Sequence, residues 1–366
     1  MKSLLFILCS FFNNLAWGLT CTADVPARSD VFQLQGGNIT VGNEVPVGSI
    51  IYQQTIKSYK DYSKAPHMNC SNFTDPPYTE RQYVYLTNTP KPLTSWQGGV
   101  FAGRIYSTDI PGIGAVIAQP RLNAAFNTSQ TMTYTRTADT FSHVQFWIEP
   151  KLLLIKTGAI SPGVILGNNL PSVEYRDTYF DNKGKLVTDF KPYKYSFSGS
   201  INVISKTCKV NDYNVDLGSW NIRDFLNSNS TKWVSADIIL EDCPKPYGTI
   251  SSVVTDHLTG VSTDLNRRNN SLGVVLHPIT EILDAPNGII AIESSNNSAS
   301  GVGIQIAEGN LAQNNPAKFD VESKIEQNTD GATTIVLPML ARYIKTSETI
   351  RPGKAKGRVV YTINYY

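Results

Sequence analysis

The last fourteen residues, Gly353 to Tyr366, restrict the fold more than any other stretch of this chain. They read as one β-strand. Val359, Tyr361, Ile363 and Tyr365 alternate with Arg358, Val360, Thr362 and Asn364, and a period of two places the first set on a single face. No later segment is available to pair with that strand. A long apolar edge left open invites aggregation unless something completes the sheet, so the sequence predicts that another chain supplies the missing partner.

The other end carries an export pattern. Lys2 gives a positive start, Leu4 to Phe12 form a short apolar core, and Ala16-Trp17-Gly18 offers small residues at a cleavage site. Residues 1–18 are expected to be a signal peptide and the mature chain to begin at Leu19. The apolar run is too short for a membrane span of about 20 residues, and no other stretch supplies one. Thr20 before Cys21 does not suit a lipoprotein signal. Once Cys9 leaves with the signal, Cys21, Cys70, Cys208 and Cys243 remain, an even number that in an exported chain argues for disulfides. Of the three pairings, spacing favours Cys21–Cys70 with Cys208–Cys243, each closing a loop within one half. Zinc is the competing use, but no Cys-x-x-Cys occurs. A net charge of +2 with 17% charged residues provides no strong attraction for nucleic acid.

Helical periodicity is nearly absent. Strand-like runs recur between Gly-, Pro- and Asn-rich breaks: Gln82 to Thr87, Thr131 to Arg136, His143 to Ile148 and Leu152 to Ile155. Many short strands between turns predict an all-β protein built of sandwiches. The alternating stretch Tyr193 to Gly199 reads as the closing strand of a first domain, residues 19–202. Ile201 to Ile204 then leads into a second domain, residues 203–366.

The second domain resembles the pilin subunits assembled by the chaperone–usher route. Those subunits have a Gly fourteen residues from the end and a penultimate aromatic, the places of Gly353 and Tyr365. Ile335 to Thr346, leading to Pro352-Gly353, is similar to the stretch before their tail. Cys208 to Gly218 looks like their first strand, and Trp233 to Cys243 like the strand bearing its disulfide partner. The resemblance implies an immunoglobulin-like sandwich lacking its last strand, with Gly353, Val359, Tyr361, Ile363 and Tyr365 along the acceptor edge. A donor strand would come first from a periplasmic fimbrial chaperone and then, at an outer-membrane usher, from the next fimbrial subunit, by β-augmentation. Ordinary pilins carry a donor extension before their first cysteine. Here Cys21 follows Leu19 almost at once, and a whole domain precedes the pilin part. That arrangement resembles two-domain tip adhesins of the type 1 class, which implies export through the periplasm to the fimbrial tip on a bacterial surface. It also implies an immunoglobulin-like, lectin-like N-terminal domain.

In mannose-binding relatives the residues after the second cysteine help to form the sugar pocket. Asn72 matches their pocket Asn by its offset from Cys70, but Phe73 stands where they have Asp, and Leu19 replaces their aromatic first residue. Both departures argue against mannose. Asn72, Asp75 and Tyr78 supply amide, carboxylate and aromatic ring in one loop, the types that bracket a sugar. Asp177, Tyr179, Asp181 and Asn182 supply them in a second. Turns use Asn, Asp, Pro and Gly in any case, and Trp96 beside Gly98-Gly99 serves either stacking or packing. His67, His143, His257 and His277 form no metal motif, no Gly-x-Ser-x-Gly elbow occurs, and Gly112 to Ala118 reads as a strand rather than a dinucleotide loop. No catalytic residue, metal or cofactor is expected. The sequence therefore predicts a fimbrial tip adhesin that binds a host or surface glycan without turnover. The alternatives are a structural or initiating tip subunit, an adhesin for a protein or metal-bridged ligand, and a surface glycan hydrolase.

Overall fold

In the strand Ile113–Gln119 every residue is buried, and the layers around it show why. The structure is a computed structural model describing residues 19–57, 64–74, 76–119, 124–140, 149–327 and 332–366. The signal segment, Asp75 and the expected strand from His143 to Ile148 lie outside the described residues. Among the described residues the protein is all-β, with short 3-10 turns and no α-helix.

In the N-terminal half, one sheet runs in the order Thr131–Ala138, Tyr78–Asn88, Ser172–Phe180, Leu186–Ser198 and Arg28–Gln33, the last two parallel. Facing strands include Ile50–Lys57, Lys151–Lys156 and Ile113–Gln119. Tyr52, Phe126, Tyr175, Tyr179, Tyr193 and Tyr195 fill the space between with Ile39, Ile117 and Leu154. Large aromatic side chains at alternate positions form this core, because each strand turns every second residue inward. A smaller cluster of Ile105, Val116, Ala118, Leu153 and Ile155 covers the outer side of Ile113–Gln119. The Cys21–Cys70 disulfide ties Thr20–Val25 to His67–Ser71, where the two cysteines are directly opposed.

The C-terminal half has its own core, including Leu240, Leu272, Leu276, Ile290, Ile304, Leu337 and the Cys208–Cys243 disulfide. Val302–Gly309 and Met339–Lys345 lie at the centre of one sheet. Two three-stranded pieces complete the structure. One is ordered Lys209–Val210, Ile238–Glu241, Ile335–Leu337, and the other Ser323–Glu326, Ser271–Pro278, Val359–Tyr365. The run expected as a single strand at 233–243 is broken and changes sheets, and the stretch 335–346 does the same. Pro338 cannot donate to a ladder, and it separates Ile335–Leu337 from Met339–Lys345. Beside it, the Asp237 carboxylate accepts the Met339 amide at 2.9 Å.

Three boundaries differ from expectation. The closing strand begins at Val359, not Gly353. Gly353 instead packs against backbone, and a Cβ there would lie 2.4 Å from Ala299 N. Ser200–Ile204 does not lead away but pairs with Gly163–Leu166 and Asn38–Thr40, placing Val203 in the N-terminal core. Most unexpected is the hairpin Thr249–Asp256 and Ser262–Arg268. It follows Cys243, yet Thr249–Asp256 pairs in parallel with Ile50–Lys57. Ile250 and Val253 enter the N-terminal core. His257, at 2% exposure, lies with Nδ1 2.8 Å from Tyr195 Oη and its ring 5.5 Å from that of Tyr193.

Candidate functional site

The strand Val359–Tyr365 is paired on one side only. Its partner is Ser271–Pro278, antiparallel, with Tyr361 opposite Leu276, Ile363 opposite Val274 and Tyr365 opposite Leu272. Its other side carries no ladder among the described residues. Lys209–Val210 is likewise an edge, paired among the described residues only with Ile238–Glu241. These two open edges face each other. The Cys208 amide donates to Tyr365 Oη at 3.1 Å, and Tyr361 Oη donates to the Asn211 carbonyl at 2.6 Å. The residue numbers run in opposite directions across the opening, so the edges are antiparallel. Paired strands sit about 4.8 Å apart and exchange main-chain bonds. Here side-chain hydroxyls span the distance instead, leaving a groove between the edges. Val359, Tyr361, Ile363 and Tyr365 form its floor, packed against the C-terminal core but only half-buried. The alternation read in the tail is thus the alternation of this floor. Gly353 lies off the edge.

A second candidate lies at the far end of the N-terminal sheet. Tyr78–Asn88 and Ser172–Phe180 are neighbours with Phe180 opposite Thr79, which brings the two sequence-predicted loops together. Asn182 Nδ2 donates to the Pro76 carbonyl at 3.4 Å. Asn72 is exposed in the left-handed region, φ 59°, and Pro76–Pro77 is cis. The Asp181 carboxylate accepts the amides of Lys183 and Lys185 at 2.9 and 2.8 Å and so organises its own turn. Three expected receptor residues are not presented to solvent. Tyr78, Asp177 and Tyr179 are 2%, 1% and 0% exposed, because they occupy inward positions of their strands. Tyr78 packs edge-on against Phe73, and Tyr179 Oη donates to Asp177 Oδ2 at 3.0 Å. Trp96 packs over Gly48 and Gly98.

Sequence reasoning missed the polar cluster beneath these loops. Glu80 is 1% exposed, accepts from Gln82 at 2.9 Å and pairs with Arg136 at 3.3 Å. Burial, reinforced by the Glu80 charge, pushes the Asp177 carboxyl up to about 8, and burial raises Glu80 as well. An Asp and a Glu in separate strands give no local signal of such a meeting. The period-two pattern, applied to Glu80, Gln82 and Val84, would have placed Glu80 inward with Val84.

Comparison with known proteins bears on the groove. Residues 195–366 match the family model described as fimbrial protein. Over that stretch the chain is similar to fimbrial proteins. The match contains both open edges and the Cys208–Cys243 disulfide of the fimbrial domain. The search of curated proteins found no match. Among solved structures, the CupB6 tip adhesin of Pseudomonas aeruginosa is 15% identical, with 94% of each chain covered and a TM-score of 0.35. The receptor-binding domain of the plasmid-borne adhesin MrkD1P of Klebsiella pneumoniae is 20% identical over 53% of this chain and 100% of its own, with a TM-score of 0.32. The CsuC–CsuE chaperone–tip subunit complex of Acinetobacter baumannii is similar at 14% identity, covering 94% and 100%, with a TM-score of 0.26. Likeness at that level adds nothing to what the fold already shows.

Proposed function

We propose that this chain is the tip adhesin of a chaperone–usher fimbria. Residues 19–202, completed by the hairpin Thr249–Asp256 and Ser262–Arg268, hold a surface receptor, a glycan. The fimbrial domain accepts a donor strand, first from a periplasmic chaperone and, after the usher, from the next subunit. The observation that carries this is the groove: two open antiparallel edges over an apolar, aromatic floor, inside a domain matched by the fimbrial model. An inserted strand would be parallel to one edge and antiparallel to the other, and would join two three-stranded pieces into one sheet. Main-chain bonds along both edges give such a partner its affinity, and its alternate side chains on the floor give specificity.

For the receptor end, Asn72 and Asn182 offer exposed amides about a shared opening, beside the ring of Phe73. One such contact is weak, and many fimbriae on a cell would multiply it. The test is a glycan array with the full chain in complex with its chaperone, beside Asn72→Ala and Asn182→Ala. We expect a sugar-specific signal reduced at least tenfold in both variants. A complex that forms but binds no glycan leaves the fimbrial role and removes the lectin. Failure of the folded chain to form any chaperone complex removes the donor-strand reading.

A further inference from the structure

The two tyrosines of the groove do something that Val359 and Ile363 cannot. The Cys208 main chain belongs to a residue only 5% exposed, where an unpaired amide would be costly. Its amide hydrogen goes to Tyr365 Oη at 3.1 Å. Three residues on, the Asn211 carbonyl receives the Tyr361 hydroxyl at 2.6 Å. These main-chain groups flank Lys209–Val210, the open edge that an incoming strand must pair with. We propose that Tyr361 and Tyr365 are placeholders, whose hydroxyls hold main-chain groups of the opposite edge until an incoming β-strand replaces them. This rests on the reading of the groove as a strand acceptor.

Two consequences follow for the occupant. Before it can pair with the edge it must displace two hydroxyl bonds, so the groove rejects segments that offer apolar contact without matching main-chain bonds. Its side chains also meet an uneven floor. Val359 and Ile363 carry short aliphatic side chains, whereas the rings of Tyr361 and Tyr365 reach across to residues 208 and 211. The strand that fits is apolar and bulky over Val359 and Ile363 and small over the two tyrosines. The hydroxyls and the rings thus act separately, which makes phenylalanine the informative substitution. It keeps the ring of the floor and removes only the bond to the opposite edge.

The test uses the full chain, refolded with its disulfides intact, and a fluorescein-labelled peptide as long as the seven residues of the closing strand. Along the four floor-facing positions of the peptide, which are every second residue, valine or isoleucine alternates with serine. Tyr361→Phe and Tyr365→Phe should each bind it about fivefold more tightly than the wild type, the worth of one neutral hydrogen bond no longer displaced. The double variant should gain on the order of 25-fold. Equal or weaker binding by folded phenylalanine variants overturns the placeholder role while leaving the groove as an acceptor. No binding by either folded wild type or variants overturns the acceptor reading itself. One measurement needs no variant. In the unfilled wild type the Cys208 amide should exchange with solvent hydrogen at least tenfold more slowly than a free amide, and exchange at the free rate overturns the proposal.

Discussion

Asp177 and Glu80 sit diagonally on neighbouring strands with both carboxyls turned into the same core, and Arg136 supplies one positive charge at the edge of the pair. Asp177 Oδ1 has no hydrogen-bond partner among the described residues. Ionising both acids would leave a buried negative charge uncompensated, so Asp177 keeps its proton to about pH 8, against 3.8 ordinarily. The folded state then holds a proton that the unfolded chain releases, and this stabilisation is complete below about pH 4 and lost as pH rises through 8. His257 acts in the opposite direction. Burial lowers it from 6.5 to about 4, so its contribution is complete above pH 6.5 and lost as pH falls to 4. Between pH 6.5 and 8, of these two groups, only the carboxyl contributes a slope. Over that window wild-type stability should fall by about 1–2 kcal/mol more than that of Asp177→Asn, which cannot ionise. Denaturant titrations of both proteins at the two pH values measure it. Parallel losses would place the proton elsewhere.

The hairpin Thr249–Asp256 and Ser262–Arg268 is coded after Cys243 but folds as part of the N-terminal sheet. Ile250 is fully buried, and its Cδ1 lies 1.9 Å from where a Cβ on Gly36 would be, so the turn at Gly36 (φ 97°) is shaped to receive it. Arg267 reaches the same turn, donating to the carbonyls of Gly36 and Asn38. Truncating Ile250 to Ala should cost about 2–5 kcal/mol, and the loss should appear in the N-terminal half. Hydrogen exchange in Ile50–Lys57 should accelerate, while Val302–Gly309, at the centre of the fimbrial domain, should change less. Faster exchange confined to the fimbrial domain would contradict the pairing.

This element also marks the limit of what the sequence discloses. Alternation in Val359 to Tyr365, the cysteine spacing and the strand-like runs at 82–87 and 152–155 are local patterns, and each appears in the structure. Pairing between Ile250 and Tyr52 joins residues some two hundred positions apart, and nothing in either segment names the other. The candidate loops show the same division. Asn72 and Asn182 were legible as loop amides. Tyr78, Asp177 and Tyr179 carry the same receptor-suited chemistry, and only strand register turned them inward.

At the scale of the whole molecule, the two halves meet through specific bonds rather than a bare linker. Asn270 is 3% exposed and joins three segments: its Nδ2 donates to the carbonyls of Thr40 and Tyr366, and its Oδ1 accepts the Gly248 amide. The Glu44 carboxylate accepts the Tyr365 amide at 2.7 Å, and the Glu44 amide returns to the Tyr365 carbonyl at 3.1 Å. The end of the groove strand is therefore fixed to the N-terminal half directly. A chain with two cores ordinarily unfolds in parts, but here the hairpin places fimbrial-domain sequence inside the other core and Asn270 fastens the seam. We expect the wild type to unfold in one calorimetric transition, with van't Hoff and calorimetric enthalpies equal. Asn270→Ala removes three bonds and leaves buried groups of the other segments unpaired, at a cost of about 2–4 kcal/mol. That loss should fall on the coupling and resolve the transition into two. Two transitions already present in the wild type would mean that the halves are independent, and a force on a bound receptor would then reach the fimbria through the hairpin connections alone.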